Sequence, residues 1–176
     1  MVTFNLDRIF NPRSIAVVGA SEDEGSVGRI LMVNLTQTGF KGKVFPVNIK
    51  RKEILGMKAY PKVDDLPEPV DLAIIATPAK TVPDIVEECG KAGILGIIII
   101  SAGFKEIGEK GRALEKKLIA LQKQYNLRII GPNCFGIIRP SNNLNGTFAE
   151  TMPKSGNVAF ISQSGALGSA ILDWAV

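Results

Sequence analysis

The 176-residue chain contains no histidine. No step that needs an imidazole can be carried by it, whether as general base, phosphate carrier or metal ligand. Its two cysteines, Cys89 and Cys134, lack the close spacing of a metal or redox pair. No secretory leader is evident, so a reducing cytoplasm is the expected setting. Aromatic residues make up only 6% of the chain and do not interleave with basic ones, which argues against a nucleic-acid surface. The net charge of +4 is a mild excess. Its clusters are Lys50–Lys52 and the stretch "EKKLIALQKQ", which reads as the wet face of a helix. The longest apolar run, "ILGIIIISAGF", falls far short of the roughly 20 residues that cross a bilayer and reads as a buried strand. No membrane and no nucleic acid are therefore expected as partners.

What is present is a core-forming rhythm. At 45% hydrophobic residues the chain can bury one domain, or one domain and a piece of another. Strands are expected at 14–20, 43–47, 70–78, 94–101 and 127–131, each apolar and rich in β-branched residues. Pro46 lacks an amide and places the second strand at an end or edge. Amphipathic helices separate the strands: one ends at Gly39, one is capped by Thr81 with Pro83 in its first turn, and a long one spans 108–126. The third and fourth strands are apolar almost throughout, as when helices cover both faces of a parallel sheet. The expected fold is α/β, a Rossmann-like, doubly wound parallel sheet over residues 1–138.

From 139 to 156, "RPSNNLNGTFAETMPKSG", polar and turn residues replace this rhythm, as in an interdomain connection. A strand at 157–162 and a helix after it would then open a second, flavodoxin-like domain. One such βα unit cannot bury its own apolar surface, so residues 157–176 are expected to continue into a domain beyond Val176.

Three stretches carry chemistry. The loop "GASEDEGSVG" joins the first strand to the first helix, where a ligand phosphate can meet free helix N–H groups, although its Glu22, Asp23 and Glu24 make it acidic. At the end of the second strand, where an NAD site would carry Asp or Glu, stand Asn48 and Lys50. A cation there suits a phosphomonoester on an adenosine ribose, at the 2′ position in NADP or the 3′ position in coenzyme A; a merely solvated loop is the other reading. The third stretch, "ISQSGALG", sets Ser164, Gly165 and Ala166 at a helix start, where they either hold a phosphate or form an ordinary serine cap. Cys134 in "GPNCFG" has no histidine to activate it, so it reads as packing and not as a nucleophile.

"LDRIFNPRSIAVVGAS", "PVNIK", "IIATPA", "IISAGF", "GPNCFGI" and "GNVAFISQSGALG" occur in this order along essentially the whole chain. Together they resemble the α-subunit region of ADP-forming acetyl-CoA synthetases. These belong to the superfamily of nucleoside-diphosphate-forming acyl-CoA synthetases that includes succinyl-CoA synthetase. The usual P-V-N-P-K ending has Ile49 here in place of the second proline.

The resemblance implies a CoA pocket formed by Gly19, Ala20 and Ser21, by Val47, Asn48 and Lys50, by Ala76, Thr77 and Pro78, and by Ser101, Ala102 and Gly103. Succinyl-CoA synthetases carry a glutamate near the position of Ala102. The resemblance further implies that Asn133 and Cys134 line the thiol end of CoA, and that Ser164, Gly165 and Ala166 hold a phosphate carried by a histidine outside this sequence. The complete enzyme would interconvert acyl-CoA, ADP and phosphate with acid, CoA and ATP. It would use Mg and a nucleotide-binding β subunit or domain, as an oligomer; this chain alone would hold no catalytic residue and be inactive. The alternatives are a stand-alone CoA-binding protein, a CoA-binding domain fused to an acetyltransferase, and an NADP-dependent oxidoreductase domain.

Overall fold

Alternation along the strands sets the layers of the molecule. The computed structural model describes residues 5–175; residues 1–4 and Val176, the outer limits of the two expected domains, lie outside the described residues. The chain runs α1 (Leu6–Phe10), β1 (Ser14–Val18), α2 (Val27–Gln37), β2 (Lys43–Val47) and a small hairpin of β3 (Glu53–Ile54) and β4 (Met57–Lys58). There follow β5 (Leu72–Ile75), α3 (Val82–Lys91), β6 (Gly96–Ile99), α4 (Glu109–Tyr125) and β7 (Arg128–Ile130). A second hairpin, β8 (Gly136–Arg139) and β9 (Leu144–Thr147), precedes α5 (Gly165–Trp174).

Five strands form one parallel sheet in the order β2-β1-β5-β6-β7. Ile15, Val17, Leu72, Ile74 and Ile98 face Ile9 of α1, Leu31, Met32 and Leu35 of α2, and Leu144 of β9. Their neighbours Ala16, Val18, Ala73, Ile75, Ile97 and Ile99 face Val82, Val86 and Cys89 of α3 and Leu118 of α4. Side chains of period two thus meet a helical layer on each side, which is why these strands read as continuously apolar. The doubly wound α/β sheet expected from the sequence is the fold observed. Pro46 lies in edge strand β2, and its carbonyl accepts from the Tyr60 N–H at 2.9 Å.

The helix ends show what local sequence decides and what it does not. Ser26 caps α2 by accepting from the Arg29 N–H at 3.2 Å, and Gly39 follows the helix at φ +87°. Thr81 precedes α3 but does not cap it. A 3₁₀ turn at Ala79–Thr81 holds Thr81 in a helical conformation, and its hydroxyl donates to the Pro78 carbonyl at 2.8 Å.

At the carboxyl-terminal end the secondary structure differs from that expected in two places. Within the stretch read as a connection from 139, β9 pairs with β8 and is fully buried. Its polar composition disguised a strand whose polar groups are satisfied internally. Asn34 of α2, 3% exposed, donates to the carbonyls of Thr147 at 2.9 Å and Ala149 at 2.7 Å. Asn145 accepts from the Thr147 hydroxyl at 2.7 Å and donates to the Ala149 carbonyl at 3.1 Å. Residues 157–162, in turn, form no strand; Val158 and Ile161 are 89% and 95% exposed. A strand needs a neighbour for its amides, and this segment pairs with none of the described strands. The helix expected after it is present as α5.

Asn34→Leu keeps the helix but removes the donor to both carbonyls, leaving Ala149 only its bond from Asn145. It should lower the unfolding free energy by about 1–3 kcal/mol, read as a lower urea midpoint. An unchanged midpoint would show that Asn34 does not hold the hairpin.

Candidate ligand-binding site at the strand carboxyl ends

The site is organised by a close approach of backbones. Reading only the parallel strands in chain order, the sheet runs 2-1-3-4-5, and the order reverses between β1 and β5, where ligands bind in open α/β sheets. Gly19 follows β1 at φ +91°, and a Cβ there would lie 2.8 Å from the Ala76 carbonyl oxygen after β5. A Cβ on Gly28, in the first turn of α2, would lie 2.0 Å from the Gly19 carbonyl oxygen. Neither position has room for a side chain. These glycines do more than permit a turn: they let the first loop, the end of β5 and the start of α2 touch.

The structure brings the strand-end residues into one arc. The Gly19 N–H donates to the Val47 carbonyl at 3.0 Å, and the Ala76 N–H to the Val18 carbonyl at 2.8 Å. The Asn133 N–H donates to the Ser101 carbonyl at 2.9 Å, and the Ser101 hydroxyl to the Ile75 carbonyl at 3.4 Å. Gly103, at φ +109°, sits against Ala79, and its N–H donates to the Glu106 carboxylate at 2.6 Å. That bond, with others from nearby backbone, holds the Glu106 carboxyl below its ordinary range. Ala102, Pro78 and Asn133 are exposed, while Thr77 and Ser101 are half-buried.

Asn48 is a scaffold for the turn after β2. Its Nδ2 donates to the Ala20 carbonyl at 2.8 Å, and its Oδ1 accepts from the N–H groups of Lys50 at 2.7 Å and Arg51 at 2.9 Å. It ties the second loop to the first and presents Lys50 to solvent, with no ion-pair partner among the described residues.

The acidic tip, which the sequence left without a role, meets the basic cluster. Arg51 donates to Glu22 at 3.0 Å and to Asp23 at 2.6 Å, and Glu22 also accepts from the Leu55 N–H at 2.8 Å. Leu55, at φ +49°, forms with Gly56 at φ +75° the two-residue turn of the β3–β4 hairpin. A left-handed conformation costs a side-chain-bearing residue roughly 1–2 kcal/mol. Of this group only the two charged stretches, one acidic and one basic, were visible beforehand and not their pairing: the turn carries Leu where Asn would have signalled it.

Cys134 packs against backbone. Its thiol donates to the Ile99 carbonyl at 3.2 Å, and burial pushes its pKa up to about 11. Cys89 is fully buried in the core, its pKa pushed up by burial to about 12. No group of three or more acidic, cysteine or histidine ligands that could hold a metal occurs among the described residues.

Ser164 caps α5, accepting from the Leu167 N–H at 3.3 Å, and Gly165 and Ala166 are exposed at that helix start. A Cβ on Gly168 would lie 4.0 Å from the Phe135 ring, so α5 runs beside the "GPNCFG" turn. A shallow hollow of about 420 Å³ lies elsewhere, lined by Lys105 and residues of α4, and none of the strand-end residues contributes to it.

Residues 13–140 match the family described as the CoA binding domain. The chain belongs to that CoA-binding family. Over 167 residues it is 52% identical to the α subunit of the ADP-forming acetate–CoA ligase II of Pyrococcus furiosus, covering 95% of this chain and 36% of that protein. It is 48% identical to the ADP-forming acetate–CoA ligase I of Archaeoglobus fulgidus, covering 96% of this chain and 24% of that protein. Among solved structures, a Candidatus Korarchaeum cryptofilum dinucleotide-forming acetyl-coenzyme A synthetase 1, in complex with phosphate and ADP, superposes with a TM-score of 0.90. It is 46% identical, with 97% of this chain and 37% of that one covered. The resemblance read from the motifs is thereby borne out, and this CoA-binding chain spans between 24% and 37% of the length of these relatives.

For the thiol, at pH 8 a group of pKa about 11 is about a hundredfold less ionised than one at the ordinary value of 9.0. Cys134 should therefore resist iodoacetamide at pH 8 and react faster as pH rises toward 11. Rapid labelling at pH 8 in the folded protein would show an activated thiolate.

Proposed function

We propose that this chain is the CoA-binding part of an ADP-forming acyl-CoA synthetase. The complete enzyme interconverts acyl-CoA, ADP and phosphate with acid, CoA and ATP. The observation that carries this reading is the turn after β2: Asn48 is occupied in holding backbone where NAD would need a carboxylate, and Lys50 is left as an exposed cation. A cation there fits the 3′-phosphate of CoA. The small residues Gly19, Ser21, Ala76, Ser101, Ala102 and Gly103 leave a low-walled path along the strand ends for the pantetheine arm, with Ala20 buried behind it. Asn133 and Cys134 line its far end, and the start of α5 at Ser164, Gly165 and Ala166 holds phosphate.

ADP or ATP and Mg belong to a nucleotide-binding β subunit or domain that completes the enzyme as an oligomer in the cytoplasm. No helix among the described residues is long and apolar enough to cross a membrane. With no histidine in the chain, transfer through a phosphohistidine lies outside it. The 157–175 segment favours this reading over a stand-alone CoA-binding protein, because it leaves Leu167 and Trp174 half or more exposed, as a surface other residues would cover.

By calorimetry the protein should bind CoA more tightly than dephospho-CoA, and Lys50→Ala should erase the difference. For an exposed lysine the expected preference is about tenfold, the lower end for a charge-assisted contact to phosphate. Equal affinities in the unaltered protein, or micromolar NADP binding that CoA displaces, would reject the assignment.

Incubated with acetyl-CoA, ADP and phosphate, the purified 176-residue chain should form no ATP. Sustained formation would mean that the chemistry runs without the missing histidine.

A further inference from the structure

Arg51 and Lys50 are adjacent in sequence but opposite in circumstance. Lys50 is open to solvent, whereas Arg51 is engaged by Glu22 and Asp23, at 3.0 and 2.6 Å. Of the two carboxylates only Glu22 does a second thing: its other oxygen accepts from the Leu55 N–H at 2.8 Å, at the left-handed corner of the β3–β4 hairpin. Glu22 itself is anchored, since its carbonyl accepts from Arg29 of α2 at 2.9 Å. One side chain on the first loop therefore grips both ends of the segment 51–55, immediately after the residue expected to hold phosphate.

We infer that Glu22 is a positioning residue for the phosphate site. By bridging Arg51 and the Leu55 amide it holds the Lys50 turn against the first loop, and so sets how strongly the site prefers a ligand bearing a terminal phosphomonoester. This rests on the CoA reading above.

The physical case turns on two opposed effects of one carboxylate. Its negative charge near the site weakens attraction for any phosphate, by an amount that salt screens. Its bonds fix the turn, so that Lys50 meets the ligand without first paying the entropy of ordering the backbone that carries it. Asn48 also ties this turn to the first loop, through the Ala20 carbonyl, but on the turn itself its bonds reach only the amides of residues 50 and 51. Beyond them the Lys52 carbonyl accepts from the Ala59 N–H at 2.8 Å and Ile54 is buried, and Glu22 adds the bond to the corner at Leu55, whose side chain disfavours the conformation it holds.

Glu22→Gln and Glu22→Ala separate the two effects, because both remove the charge and the Arg51 ion pair, and only Gln keeps an oxygen that accepts from the Leu55 N–H. The readout is the ratio of CoA to dephospho-CoA affinity by calorimetry, with circular dichroism to confirm the fold. The Ala variant should show a ratio about fivefold lower than the Gln variant. Adding Leu55→Asn to the Ala variant should recover part of that loss, since Asn-Gly forms this turn unaided.

Equal ratios in the Ala and Gln variants would overturn the inference while leaving the pocket in place. Failure of the unaltered protein to bind CoA, or to prefer it over dephospho-CoA, would overturn the pocket reading and this inference with it.

Discussion

Everything at the ligand end of this molecule depends on three stretches of backbone lying at contact distance. Gly19 touches Ala76, and Gly28 touches Gly19, with no room for a methyl group at either glycine. That contact seats the first turn of α2 directly behind the first loop and brings the β1 and β5 ends together where the sheet changes direction. A crevice follows from topology, since helices leave the sheet toward opposite faces on the two sides of that point. Its floor is backbone, and its walls are the short side chains that such an approach allows.

Electrostatics over the crevice are arranged and not merely basic. Three consecutive cations follow β2, and the tip of the first loop carries three acids. Arg51 is paired with Glu22 and Asp23, while Lys50 and Lys52 stay exposed to solvent. The charged cluster thus separates into one cation bound to the first loop and two open to solvent. That division is invisible in composition because neighbours in sequence have identical charge.

Legibility in the sequence followed the range of the forces involved. The five sheet strands and α2 were readable because β-branched runs and helical periodicity are local signals that tertiary packing reinforced. Strand lengths were overestimated: Val70 and Asp71, before β5, are buried yet lie outside the ladder. Thr81 misled because a cap depends on its backbone conformation, which the preceding 3₁₀ turn decides. The β8–β9 hairpin escaped because its inward residues include Asn145 and Thr147, polar side chains whose partners lie in their own loop, and because the donor to the Thr147 carbonyl, Asn34, lies 113 residues away. For the candidate site, topology put a crevice at the strand ends, and the individual residues there were what the family resemblance implied. The bond from Glu22 to Leu55 joins residues 33 apart and leaves no pattern in either.

The buried amide network under β9 has a consequence for how the two ends of the chain meet. Asn145 also donates to the Thr151 carbonyl at 3.4 Å, so the chain leaves the first unit from a fixed point beside α2. From there to α5 it has only about a dozen residues, whose coil dimension is on the order of 20 Å. A tether of that reach keeps the start of α5 at an effective concentration in the millimolar range around the crevice. Its encounter with the "GPNCFG" turn is therefore intramolecular: a contact too weak to persist between separate molecules can be well populated here, and lengthening the tether would dilute it without altering a single contacting atom.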